Sequence, residues 1–249
     1  MPQRMFRSFQ GLLLAGLSLL FVFKAVNGQL TWYINSRFIP LTILGMVFLA
    51  VLAQAVFSEI RRSRKHEQDH PEHYHEHGHA PSATSLWVML IPLAIGIAIP
   101  ARPLDSSAFD SKGFNTSAPL VSSDISAQIF ETESEERNIL DWLKLFNYEE
   151  DVIQFVGQKA SVVGFVYFDA TLDKDQFYVS RFVISCCAAD GFAIAMPVQW
   201  SQADALQQDA WVAVKGKIEA ITLNGSRVPL IVAESVEAVE TPDQPYLFP

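Results

Sequence analysis

Two hydrophobic rhythms divide the chain. In the first hundred residues apolar positions come in long runs, and beyond residue 130 they come in short segments between polar turns. Long runs predict helices in lipid, and short alternating ones predict strands. The long runs cover residues 11–27, 38–57 and 86–100. The second holds about twenty residues without a charge, the length that crosses a hydrocarbon core about 30 Å thick. The first carries Lys24 near its end and follows Arg4 and Arg7. A basic start before an apolar stretch also suits a cleaved signal peptide. A second full-length run follows after a short connector, so a retained helix is expected. The third run is short, is interrupted by Pro92 and closes at Pro100, Arg102 and Pro103. It reads either as a span that tilts or thins the bilayer or as an interfacial segment, and a span is expected. Two to three transmembrane helices in residues 1–100 result.

Basic residues beside the spans set the topology, because they stay on the cytoplasmic side. The strongest cluster is Arg61, Arg62, Arg64 and Lys65, directly after the second run. It predicts a cytoplasmic N-terminus, an outer connector between the first two runs and a cytoplasmic loop at 66–79. The rest of the chain is then extracytoplasmic if the third run crosses. The expected location is the inner (plasma) membrane, multi-pass, with the lipid bilayer as one partner.

Residues 101–130 read as a linker. Pro103 to Ser123 is rich in Ser, Pro and small residues and predicts an extended tether. The domain expected over 131–249 is mostly β. Ser134 to Phe146 shows a helical apolar stripe. Strand signals follow at Ala160–Phe168, with Gly164 as a bulge or bend, and at Phe177–Ser185. Further signals fall at Phe192–Met196, stopped by Pro197, at Trp211–Glu219 and at Leu230–Val239, with a hairpin turn at Asn224-Gly225. Five or six strands with one flanking helix predict a soluble OB-like barrel.

Charge changes the functional picture. Residues 1–100 hold eight Lys/Arg against five Asp/Glu, and residues 101–249 hold ten against 22. Phosphate contacts need clustered Lys and Arg, so an acidic domain argues against nucleic acid as a partner. There is no Ser-His-Asp set, phosphate loop or dinucleotide fingerprint. All six histidines lie between His66 and His79, so no enzyme activity is predicted.

Two places carry candidate chemistry. His66, His70, His73, His75, His77 and His79 lie in the cytoplasmic loop, the last four at alternate positions, with carboxylates beside them. Imidazole is a common ligand of zinc, copper and nickel, so the tract is a candidate metal-binding loop. The plainer reading is a solvated, His-rich linker. The second place is Cys186-Cys187-Ala188-Ala189-Asp190, which holds both cysteines of the chain. Two thiols and a carboxylate can ligate a soft metal or exchange disulfides. The plainer reading packs one cysteine in the core.

The segments Gly164–Tyr167 and Phe177–Asp190, the run Trp211–Gly216 and the closing Pro245-Tyr246-Leu247-Phe248-Pro249 resemble the YcgQ-like bacterial membrane proteins. The resemblance spans essentially the whole chain, and its most specific part is Cys186 to Asp190. It implies N-terminal spans, a C-terminal domain of unknown function and a role as the accessory subunit of a permease, paired with a separate polytopic permease. Two other readings stay open: a stand-alone metal-binding membrane protein using the histidine loop, and an envelope thiol-redox protein using Cys186 and Cys187.

Overall fold

The computed structural model describes residues 3–69, 83–109, 114–115, 129–149, 151–170, 172–223 and 226–249. They fall into two compact units. One is Met1–Leu30 with Ser36–Arg102, and the other is Thr31–Asn35 with Pro103–Pro249.

The first unit is helical: α1 spans Gln3–Val26, α2 spans Ile39–Asp69 and α3 spans Ala83–Ala98. Within it, Met5–Val26 and Ser36–Arg62 are long and apolar enough to cross a membrane. At 1.5 Å per residue, α3 is roughly 24 Å long. Pro92 lies inside α3 without ending it, since neighbouring groups in a helical bundle can satisfy the carbonyl it frees. Small residues bring the helices close. A Cβ at Gly11 would stand 3.1 Å from the Phe57 ring, and one at Gly16 would stand 3.4 Å from Leu93. Ser18 Oγ donates to the Met46 carbonyl at 3.2 Å, tying α1 to α2. Near one end of the pair Arg7 meets Glu59 at 3.4 Å. α2 continues past the apolar run to Asp69, which makes Arg61–Lys65 and the backbone of His66 helical.

The second unit is the expected OB-like barrel. Its strands are β1 Phe114–Asn115, β2 Lys159–Tyr167, β3 Gln176–Val183, β4 Phe192–Gln199, β5 Trp211–Leu223, β6 Ser226–Ala238 and β7 Tyr246–Leu247. Strands β2 to β6 close on themselves. β3 pairs antiparallel with β2 and β4, and β5 pairs antiparallel with β2 and β6. The ring shuts where β4 meets β6 in parallel at Val198↔Ile231 and Gln199↔Val232.

Two glycines make the bends. β2 follows β5 up to Phe165 and follows β3 from Phe165 onward. At this change of partner a Cβ on Gly164 would sit 2.5 Å from the Ser180 carbonyl. Gly164 therefore marks a bend. The bulge lies instead between Lys215 and Gly216, where a Cβ would reach 2.2 Å from the Val232 carbonyl.

The helix α4, Ile139–Tyr148, starts later than its stripe predicts. Ser134–Glu136 is a 3-10 turn, and Asn138 forms a capping box with Asp141, which fixes the true start. Ile139, Leu140, Trp142 and Leu145 are fully buried and join Phe177, Val179, Ile194 and Met196 in the main core.

Two expectations are corrected. β4 runs through Pro197 to Gln199, with Pro197 opposite Tyr178. On its other edge β4 pairs at 193–194 with β1 and at 198–199 with β6. The missing N–H falls between those partners, so the ladder tolerates it. The stretch read as a tether is also docked over its first residues. Leu104 N–H donates to Tyr246 Oη at 2.9 Å. Ser106 donates through its N–H and its hydroxyl to the Asp209 carboxylate, both at 2.9 Å. Phe109 is buried in a second cluster with Phe165, Phe182, Ile184, Ala193 and Tyr246. Burying one such ring contributes about 1.5–3 kcal/mol, which adds to the hydrogen bonds of Leu104 and Ser106 in offsetting the entropy of ordering the segment. Residues 110–113 and 116–128 of the expected linker, and the Asn224-Gly225 turn, lie outside the described residues.

Candidate functional site

The connection from β3 to β4 carries the thiols. β3 ends at Val183, and Ile184 N–H donates to the Leu247 carbonyl at 3.0 Å. The chain then turns through Ser185, Cys186 and Cys187 into a 3-10 turn, Ala188–Asp190. Asp190 folds back on this turn. One carboxylate oxygen accepts from Ser185 N–H at 3.0 Å, and the other accepts from Cys186 N–H at 2.7 Å. Four residues of spacing is what lets the carboxylate close its own loop, as short polar side chains do in turns.

The turn is held from outside by Thr31–Asn35. Ile34 and Cys187 form an antiparallel bridge. Asn35 N–H donates to the Cys186 carbonyl at 3.0 Å, and Ala188 N–H donates to the Tyr33 carbonyl at 2.8 Å. Asn35 Nδ2 donates to the Ser185 carbonyl at 3.0 Å, and Tyr246 Oη donates to the Trp32 carbonyl at 2.9 Å. These supports have no local signal in the sequence, because Asn35 and Ser185 are 150 positions apart.

Neither thiol packs in the core: Cys186 is exposed and Cys187 is half-buried. Their sulfurs stand 3.7 Å apart, well beyond the bonded distance of about 2.05 Å. One donor atom from each of Cys186, Cys187 and Asp190 lies within 4.8 Å of the others. Hydrogen bonding to Asp190, and then to Cys187, pushes the Cys186 thiol up to about 11. For Asp190 itself, partial burial acts upward. Hydrogen bonds from the Cys186 thiol and from the backbone of Cys186, Ser185 and Cys187 outweigh it and lower the carboxylate. The pair therefore rests at neutral pH as a thiol leaning on a carboxylate.

Before the turn, Arg181 of β3, which is 9% exposed, ties that strand to the C-terminal segment. Its guanidinium donates to the Pro245 carbonyl at 3.1 Å and to the Gln244 carbonyl, and it lies 5.5 Å from the centre of the Trp211 ring. Desolvation pushes it down to about 10, which leaves it charged at neutral pH.

Of the histidine site, His66 belongs to the helical backbone of α2. His70, His73, His75, His77 and His79 lie outside the described residues. The first unit also contains a cleft of about 600 Å³ between α1 and α2, lined by Ser18, Gln54, Phe57, Ser58 and Arg61 among others. Among the described residues, the group of Cys, His, Asp or Glu donors that converges is the one in the thiol–carboxylate turn.

Comparison with known proteins gives these findings. Residues 9–115 match the DUF1980 N-terminal domain, and residues 117–249 match the DUF1980 C-terminal domain. The UPF0703 protein YcgQ of Bacillus subtilis is 27% identical over 291 aligned positions, covering 96% of this chain and 99% of that protein. A Streptococcus mutans protein bearing the name "Putative two-component membrane permease complex subunit" is 25% identical, covering 95% of this chain and 97% of its own. A small single-stranded DNA-binding protein from Streptomyces coelicolor is 13% identical over 33% of this chain and 94% of its own, with a TM-score of 0.21. That score is too low to bear on fold or ligand.

Proposed function

The chain belongs to the DUF1980 family, and from that premise we propose that it is an accessory subunit of a membrane permease, with its barrel on the outer side of the plasma membrane and a soft metal ion as the cargo it handles. The permease role is supported by the name of the Streptococcus mutans relative. It is supported too by the small helical unit: α1 to α3 are few for a transport path alone, which implies a partner or an oligomer.

One observation carries the sidedness. Thr31–Asn35 lies between the ends of α1 and α2, yet it belongs to the barrel unit and is bonded to Cys186, Cys187 and Ala188. If α1 and α2 both cross, their connector and the barrel share one side. In this reading the chain leaves that side through α2 and returns through α3 before Pro103. Arg61, Arg62, Arg64 and Lys65 at the far end of α2 favour the cytoplasm there, so the shared side is the outer one. The metal link is supported by the donor set at Cys186, Cys187 and Asp190.

Two measurements test this reading. A phosphatase reporter that is active only outside the cell, fused after Pro249, should be active, and a fluorescent reporter that matures only inside should stay dark. The opposite pattern overturns the placement. Extraction in mild detergent should recover a multi-spanning membrane protein with this chain, and repeated recovery of this chain alone overturns the subunit role.

A further inference from the structure

We propose that Cys186, Cys187 and Asp190 form a three-ligand site, open at a fourth position, for a tetrahedral divalent cation of the zinc class. The proposal deepens the reading above by naming the cargo's chemistry.

The sulfur separation, that of two thiols in hydrogen-bonded contact, also fits one coordination geometry. Two metal–sulfur bonds of about 2.3 Å at a tetrahedral angle place their sulfurs roughly 3.8 Å apart, and the observed distance is 3.7 Å. A linear two-thiolate ion would need the sulfurs about twice the bond length apart, roughly 4.6 Å. A disulfide needs about 2.05 Å. Both alternatives require the turn to move, and a tetrahedral ion requires almost no movement of the sulfurs.

Asp190 supplies the third donor. Its carboxylate accepts from the backbone of Ser185, Cys186 and Cys187 and from the Cys186 thiol. Of its about four acceptor positions, the one that takes the thiol is freed when Cys186 gives up its proton to the metal. The same backbone bonds orient the carboxylate, as outer-shell partners do in metal sites. The bridge from Ile34 to Cys187 holds the turn in place.

Openness follows from count and exposure. Among the described residues, the converging group consists of these three. Cys186 and Asp190 are exposed and Cys187 is half-buried, so solvent reaches the donor group. Closed four-ligand sites hold structural zinc, and three protein ligands leave a position for water or an incoming donor. Loading exchanges two thiol protons for the divalent ion, with no change of oxidation state. Hand-over proceeds by a donor entering the fourth position before the thiolates leave and take protons back.

The test uses cobalt(II) as a spectroscopic probe on the full chain, purified in detergent under a phosphine reductant. A second chain lacking residues 66–79 removes binding by histidine. The chain lacking residues 66–79 should take up one cobalt, and both chains should show thiolate-to-cobalt charge-transfer absorption and the strong visible bands of tetrahedral cobalt. Zinc(II) should bleach both signals. The chain has two cysteines, so C186S/C187S must abolish charge transfer while far-UV circular dichroism stays unchanged. If that variant misfolds, the folded wild type alkylated at both thiols replaces it. D190N should keep the charge-transfer band and weaken binding at least tenfold, by analogy with the roughly 10–100-fold losses that follow mutation of metal-site support. Four outcomes overturn the proposal: absence of charge transfer in both chains, half a cobalt per chain, the weak visible spectrum of octahedral cobalt, or D190N binding as tightly as wild type. The purified chain needs no partner for this measurement, so failure of the permease reading and failure of the site are seen separately.

Discussion

Cys186 N–H donates to the Asp190 carboxylate at 2.7 Å, and the Cys186 thiol bonds to the same group. A carboxylate so close makes the thiolate the disfavoured form. Alkylation consumes the thiolate, so iodoacetamide labelling of Cys186 in metal-free protein should climb with pH toward about 11, where an ordinary thiol is half-ionised near 8.5. D190N removes the negative neighbour and should move the profile to lower pH, speeding labelling at pH 8. Mass spectrometry of the labelled peptide reads this directly. A wild-type midpoint near 8.5 would disprove the coupling.

Asp209 has a φ of 64°, a conformation that Asp tolerates better than most residues. Its carboxylate takes two hydrogen bonds from Ser106. D209A loses both and keeps the backbone cost, so the barrel should lose about 1–3 kcal/mol. Release of residues 104–109 should expose Phe109 and open a protease site there. Limited proteolysis beside a thermal melt checks both effects, and unchanged cleavage would refute the docking role.

Arg137 is 6% exposed. It donates to the carbonyls of Ile129, Phe130 and Thr132 and to Gln158, and it lies 5.0 Å from the centre of the Trp142 ring. R137A strands three carbonyls and should cost about 2–4 kcal/mol. R137K should recover little, because an ammonium cannot reproduce the planar fork. Denaturant unfolding followed by tryptophan fluorescence decides it, and full rescue by lysine would contradict the account.

At Gly164 a methyl group would meet backbone, the Ser180 carbonyl at 2.5 Å, and backbone cannot swing aside. G164A should lower stability by at least about 1–3 kcal/mol, in the range of overpacked cores. Alanine at Gly45, which has nothing within 4 Å, should be mild. Equal melting temperatures for G164A and wild type would show that β2 can bend without glycine.

Much of the site was legible locally. Cys186, Cys187 and Asp190 sit within five positions, so a turn alone can gather them. Their supports were not legible, because Tyr33 and Asn35 come from the connector between α1 and α2 and bear no pattern tying them to the turn. The docked part of the tether was missed for a similar reason. Its Ser and Pro composition describes a free chain, and only Asp209, Tyr246 and the Phe109 pocket make it ordered.

The membrane helices, the strand-rich barrel and its acidic character are properties of composition and short-range period, and the sequence by itself determined them. Burial of an apolar stripe depends on neighbours one turn or two residues away, and those are written in order along the chain. The passage of β4 through Pro197, the bend at Gly164 and the bonding of Thr31–Asn35 to the cysteine turn were decided by tertiary structure alone. Each depends on which distant backbone groups stand opposite, and hydrogen bonds between distant segments leave no period to read. The thiols are a feature of the sequence; their 3.7 Å separation, held against Asp190 and bridged from Ile34, is a feature of the fold.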